Sequence, residues 1–206
     1  MSGFEKNWNY SRKTPVSERI KEAVRNDPLR ARLEEARRRI SSQIKLLDGR
    51  LQSLKQRDKT LFKKAVSHIQ KHETDQAKAI TNEIQEIRKI TKMVEGLKLV
   101  LERTEMRLRT VEDLGDAVAT LAPVGGVVRN VKKELVKVVP EAGMEMDALT
   151  QSISGFVTEF TNLSGFTINF EATSEEAEKI LAEAESIAEA RMGDELPPLP
   201  PLKDES

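Results

Sequence analysis

Beginning at Leu29, apolar residues fall at Leu33, Ile40, Ile44, Leu47, Leu51, Leu54, Leu61 and Ala65, separated mostly by alternating threes and fours over about five heptads. That spacing gathers them on one face of an α-helix and would scatter them over both faces of a strand. It therefore predicts one long amphipathic helix with a coiled-coil-like seam, started by Asp27 as a cap with Pro28 in the first turn. Asp58 falls on the seam, where it must weaken the seam or meet a polar partner. The pattern pauses at Lys71-His72-Glu73-Thr74-Asp75, without Gly or Pro, and resumes at Ala77, Ile80, Ile84, Ile87, Ile90, Val94, Leu97, Leu101, Leu108 and Val111. Two successive helices of more than about 40 residues, at about 1.5 Å per residue, would each exceed roughly 60 Å. They are expected to fold back antiparallel and bury their stripes on one another, with a continuous helix through 70–75 as the alternative. Met93, Leu99, Val100 and Met106 lie off the second stripe and require a further partner.

The remaining composition agrees with elongated elements. Among 206 residues only 4% are aromatic and mean hydropathy is -0.50, which argues against a large core built on aromatic anchors. There is no Cys, which excludes disulfides, Cys-ligated zinc, iron–sulfur clusters and thiol nucleophiles and fits a reducing, cytosolic setting. The N-terminus lacks an apolar signal core, and the longest uncharged apolar stretch, Leu121 to Val128, is far below a membrane span, so any membrane contact is expected to be peripheral. The formal net charge of zero conceals an asymmetry. Residues 1–72 hold 19 Lys and Arg against 8 Asp and Glu, whereas residues 141–206 hold 3 against 15. A basic front and an acidic end point to an acidic partner outside, with a competing acidic segment inside the same chain.

Beyond the second stripe the signals shorten. Ala122-Pro123-Val124-Gly125-Gly126 reads as a break, with Pro123, Gly125 and Gly126 as hinge residues, followed by a short helix from Val127 to Val139 and another from about Met144 to Phe160. Asn162 to Ala172 reads as a loop carrying Phe166, Ile168 and Phe170. Thr173 or Ser174 with the acidic residues after it signals a helix start, and Ala177, Ile180, Leu181, Ala184, Ile187 and Ala188 give an amphipathic helix to about Met192. From Gly193 onward the proline-rich end should be extended, not helical. The expected organisation is thus a flexible N-terminal segment at 1–27, a helical core at 28–160 with its hairpin at about 28–120 and short helices at 127–160, a linker and acidic helix at 161–192, and a proline-rich tail at 193–206.

Chemistry-bearing clusters are scarce. His68 and His72 stand four apart, yet no third ligand converges on them, and they read as ordinary residues of the hairpin tip. Gly125-Gly126 before Lys132-Lys133 lacks the ending and the preceding strand of a phosphate loop. No catalytic constellation emerges, so the chain reads as a non-enzyme with no cofactor or metal. The basic residues of the first helix, among them Arg37, Arg38, Arg39, Lys45, Arg50 and Lys55, outnumber their internal partners. Such a face suits lipid headgroups or a nucleic-acid backbone. Aromatic residues for stacking on bases are missing between Arg30 and Leu61, which favours membrane over nucleic acid. Phe4, Trp8 and Tyr10 among basic residues suit a lipid interface equally as well as packing on a neighbouring protomer. Leu196 and Leu199, three apart in Leu196-Pro197-Pro198-Leu199-Pro200, fall on one edge of a three-residue-per-turn helix, able to enter a groove between partner helices.

A basic helical hairpin, a hinge, short helices, an acidic helix and a terminal Leu-Pro-rich segment together resemble the ESCRT-III membrane-remodelling family, over about residues 28 to 202. Residues 175–191 look like its penultimate acidic helix, and residues 195–201 look like its proline-rich MIT-interacting motif. The absence of Cys and the tandem prolines look most like the archaeal cell-division CdvB group, in a shorter form without a winged-helix domain. The resemblance implies docking of Leu196, Pro197, Leu199 and Pro200 to the MIT domain of a CdvC-type AAA ATPase. It also implies polymerisation with itself and with paralogous subunits, on anionic membrane at the inner face of the cell membrane near the division site. The helix carrying Glu175, Glu178, Ile180, Leu181 and Ile187 would be autoinhibitory, masking the basic hairpin until the chain opens. A coiled-coil scaffold or nucleic-acid-associated protein using the same basic helix is the alternative.

Overall fold

The computed structural model describes residues 27–200 apart from 112, 166, 167 and 169, with side chains from residue 29 onward except those of 170–172. The first segment, α1 (Asp27–Gln70), is a single helix of 44 residues. Its buried positions Leu29, Ala36, Ile40, Gln43, Leu47, Leu51, Leu54, Asp58, Leu61 and Ala65 form one stripe. The stripe is the predicted seam, with Leu33 and Ile44 at its margins.

α1 ends without glycine or proline. His72 adopts a left-handed backbone with φ 59°. The His72 N–H then donates to Ile69 O at 3.1 Å, and the Glu73 N–H donates to His68 O at 2.9 Å. These two bonds are a Schellman stop, which satisfies carbonyls the helix end would otherwise leave open. His68 Nδ1 lies 2.5 Å from Glu73 Oε2 and ties the side chains of the turn together.

The returning helix, α2 (Thr74–Thr110), has 37 residues, shorter than the series in the sequence suggested. It packs antiparallel on α1 as expected. Asp58 finds its polar partner there: Arg88 donates to it from Nε at 2.6 Å and from Nη2 at 3.2 Å. Buried Thr81, Thr91 and Thr104 each return their hydroxyl to the carbonyl four residues back, at 2.7–2.8 Å, so these polar groups are satisfied within the helix.

The hairpin ends at Thr110, not near 120. Asp113 then caps α3 (Leu114–Val138), accepting from the Asp116 N–H at 2.9 Å. The break expected at 122–126 is absent, and α3 runs unbroken through Pro123, Gly125 and Gly126. Local propensity opposes this by about 1 kcal/mol for each interior glycine and about 3 kcal/mol for proline. Tertiary packing outweighs it, because Pro123, Val124, Gly125, Val127, Val128 and Val131 are all buried. α4 (Ala142–Ser164) extends four residues past its expected end, to a left-handed Gly165 at φ 71°. α5 (Phe170–Glu195) starts upstream of the expected cap and continues across Gly193.

α3 lies on α2, α4 spans α3 and α1, and α5 rests along α2 and α3. One continuous core runs through these five helices, with Phe156 its largest fully buried side chain. This arrangement supplies the partner that the off-stripe residues of α2 required: Val100 is buried, and Met93 and Leu99 pack against the core of the same chain. Met106 remains 62% exposed. No helix among the described residues is long and apolar enough to cross a membrane.

Candidate functional site

Successive residues of a helix advance by about 100°, so Arg38, Lys45, Lys59 and Lys63, separated by 7, 14 and 4, share one side of α1, away from its buried stripe. All four are exposed and none has an ion pair among the described residues, although Arg38 Nε also donates to Glu34 O at 3.3 Å. Nearer the start of the helix the charge is partly spent locally. Arg37 pairs with Glu34 at 2.6 Å, and Arg39 pairs with Glu35 at 2.9 Å. Toward the tip the acids run out: between Asp48 and Glu73 the only carboxylate is Asp58, which is buried and held by Arg88. Arg50, Lys59, Lys63 and Lys64 therefore present cations with no ion pair among the described residues, while Arg57 pairs with Glu83 at 2.5 Å.

α5 buries Ala177, Leu181, Ala184, Ala188 and Met192 as one stripe of mainly small residues. Its seat is made by glycines of the opposing helices. A Cβ on Gly126 would stand 2.8 Å from the Ala177 Cβ, and one on Gly96 would stand 3.1 Å from Glu185 Cγ and 3.3 Å from its backbone nitrogen. Gly126 is thus a packing notch, and the companion Gly125 faces Ile153 Cγ2 at 3.5 Å. Breaker residues inside an apolar helix were the available signal for this contact, and only the partner helix reveals its meaning.

The acidic helix does not lie lengthwise over the basic face of α1, as the charge balance suggested. Glu183 meets Arg103 and Glu189 meets Lys92, both on α2 and both at 3.4 Å. Glu175 and Glu178 are exposed, Ile180 is partly buried against the core, and Ile187 is 37% exposed. Shape, more than charge, seats this helix, since exposed ion pairs contribute only about 0.2–1 kcal/mol each. Ile180 and Ile187 line, with Leu99, Met106 and Pro123, an open groove of about 490 Å³ between α2, α3 and α5.

An ion pair with α1 forms where α5 gives way to the tail. Lys55 Nζ lies 2.6 Å from Glu195 Oε2 and 3.6 Å from Glu95 Oε2. The Leu196 N–H donates to Met192 O at 2.9 Å, closing the last turn. Leu196, Leu199 and Pro200 are half-buried, with Leu199 packed on the core, while Pro197 and Pro198 face outward. Of the apolar edge read from the sequence, Leu199 therefore rests on the chain's own surface. Phe4, Trp8 and Tyr10 lie outside the described residues. His68 and His72 serve the turn, and the described residues hold no cluster of three or more His, Asp or Glu able to bind a metal ion.

Among the described residues, two titratable groups are shifted by their neighbours. A hydrogen bond to Asp48, with Glu102 adding to it, raises the Lys98 pKa above its ordinary value against the effect of burial. Lys137 lowers that of Glu134.

Relatives found by comparison with known proteins include two from Sulfolobus acidocaldarius. The chain is 36% identical over 200 residues to Cell division protein B1, covering 96% of this chain and 89% of that protein. It is 29% identical over 162 residues to Cell division protein B, covering 79% of this chain and 62% of that protein. No family model matches, and no solved structure matches.

Proposed function

Because the chain belongs to the cell division protein B family, the CdvB-type paralogues of ESCRT-III, we propose that it is a non-enzymatic filament subunit that assembles on anionic membrane during archaeal cell division. The observation that carries the membrane arm is the exposed side of α1 shared by Arg38, Lys45, Lys59 and Lys63, none of which has an ion pair among the described residues. At roughly 1 kcal/mol per basic residue near an anionic surface, Lys45, Lys59 and Lys63 would together contribute about 3 kcal/mol to reversible peripheral binding. Phe4 and Trp8 would add an interfacial anchor on the same membrane.

Self-assembly and co-assembly with paralogues would use surfaces that the closed chain leaves only partly covered. The groove rimmed by Met106 and Ile187 supports such a lateral contact. Opening would take place at the connection between α4 and α5, releasing α5 from its glycine seat as an autoinhibitory helix. Leu196, Pro197, Leu199 and Pro200 would then be engaged by the MIT domain of a CdvC-type AAA ATPase, which disassembles the polymer at the inner face of the cell membrane.

Flotation tests the membrane arm. The full chain should float with anionic vesicles and not with neutral ones, and the triple variant Lys45→Glu, Lys59→Glu, Lys63→Glu should stay at the bottom of the gradient. Equal flotation of the variant, or binding to duplex DNA in preference to anionic vesicles, would contradict the proposal.

A further inference from the structure

Lys55 stands between two carboxylates that belong to different parts of the molecule. Glu195 lies at the root of the proline tail and takes the closer contact, at 2.6 Å. Glu95 belongs to α2, is only 7% exposed, and its Oε2 has no hydrogen-bond partner even though Lys55 Nζ is 3.6 Å away. A buried carboxylate in that condition is costly, and the cost falls if the ammonium moves about half an ångström or more toward it. What draws the ammonium away is the tail.

We infer that Lys55 is a charge-exchange latch that decides whether the tail is available to a partner: bound to Glu195 it holds the tail on the hairpin, and on release it closes onto Glu95. Two features besides the ion pair make this an occlusion of the tail. Leu199 packs on the core, and the exposed side of the segment is Pro197 and Pro198, the residues that do not share the Leu196–Leu199 edge. A groove that recognises Leu196 and Leu199 must first take Leu199 from the chain's own core. Apparent affinity for such a partner is the intrinsic affinity reduced by the fraction of chains with a free tail. Glu95 offsets part of the cost of release, so the latch is poised instead of locked. The inference deepens the proposed function by naming how access to its ATPase-binding tail is controlled, and it rests on that reading for the partner's identity alone.

Two conservative variants move the latch in opposite directions. Glu195→Gln removes the tail's claim on Lys55, and Glu95→Gln removes the hairpin's claim and the repulsion between the two carboxylates. The chain has no Cys, so spin labels at Gln52→Cys and Pro198→Cys, both exposed positions, report the hairpin-to-tail distance without interference. The short-distance population should predominate in the parent, and the ratio of released to docked tails should rise about two- to fivefold with Glu195→Gln and fall by a similar factor with Glu95→Gln. Titration of the full chain with an isolated MIT domain should follow the same order, tightest for Glu195→Gln and weakest for Glu95→Gln. Glu95 lies on α2 and not in the tail, so a weakening there cannot arise from a lost tail–partner contact. Unchanged distances in both variants, or release of the tail by both alike, would overturn the latch. If Glu95→Gln fails to fold, the distances in Glu195→Gln decide, since that side chain is 52% exposed and its loss leaves the core intact. If no variant binds the MIT domain, the ATPase reading fails while the distances still decide the latch.

Discussion

Replacing Gly126 with alanine tests how α5 is held, because one added carbon acts on the open and closed chains differently. In both states α3 gains the intrinsic preference of alanine over glycine inside a helix, about 1 kcal/mol. In the closed state alone, the new Cβ stands 2.8 Å from the Ala177 Cβ, far inside contact distance. Neither atom is the free end of a flexible side chain, so α5 must shift, and overpacking of this kind costs about 1–3 kcal/mol. The propensity gain cancels between the states, which leaves a bias of about 1–3 kcal/mol toward opening, or roughly five- to 150-fold. The assay is native-state hydrogen exchange: amides of α5 should lose protection by that factor while those of the α1–α2 hairpin keep theirs. Adding Ala177→Gly should restore the seat and recover protection of residues near Gly126, even though it lowers the helix propensity of α5. Unaltered α5 protection in Gly126→Ala, or a uniform loss throughout the chain, would refute the notch argument.

Other expectations follow from particular contacts. Arg88→Met leaves Asp58, 1% exposed, as an uncompensated buried charge and should cost about 3–5 kcal/mol in denaturant unfolding, whereas Asp58→Leu with Arg88→Met should be close to neutral or stabilising. His72→Gly should raise stability by up to about 1 kcal/mol in the same measurement, since the left-handed φ of 59° is strained for a side chain and free for glycine. The Lys98 pKa is raised by the hydrogen bond to Asp48, so its contribution is fully present below the ordinary lysine value and is lost as pH rises through the raised one. Alkaline unfolding curves of Lys98→Met should lack that loss.

The hairpin was legible because its stripe repeats at the helical period over dozens of residues, and Asp58 announced a partner by interrupting it. The turn was located but could not be proved, since its left-handed position is filled by His72 and its stop is made by backbone bonds, not by a glycine. Pro123, Gly125 and Gly126 misled for the opposite reason: they are local breakers, and a helix through them is stable only when α4 and α5 cover them. Charge totals likewise placed α5 against the basic helix, but the pairing of faces depends on which helix offers a notch. Gly96 and Gly126 offer it, leaving Glu195 as the acidic side chain at the end of α5 that reaches Lys55. The apolar edge of the tail could be read from its three-residue spacing, and its burial against the same chain could not.

The central claim is that this chain rests closed and opens as it assembles on anionic membrane. Spin labels at Gln85→Cys on α2 and Ser186→Cys on α5, both exposed, give the distance that must change. The account predicts a short, narrow distribution in solution that moves to longer distances when the full chain is bound to anionic vesicles, together with polymer visible by electron microscopy. The same short distribution on vesicles carrying polymer would contradict it.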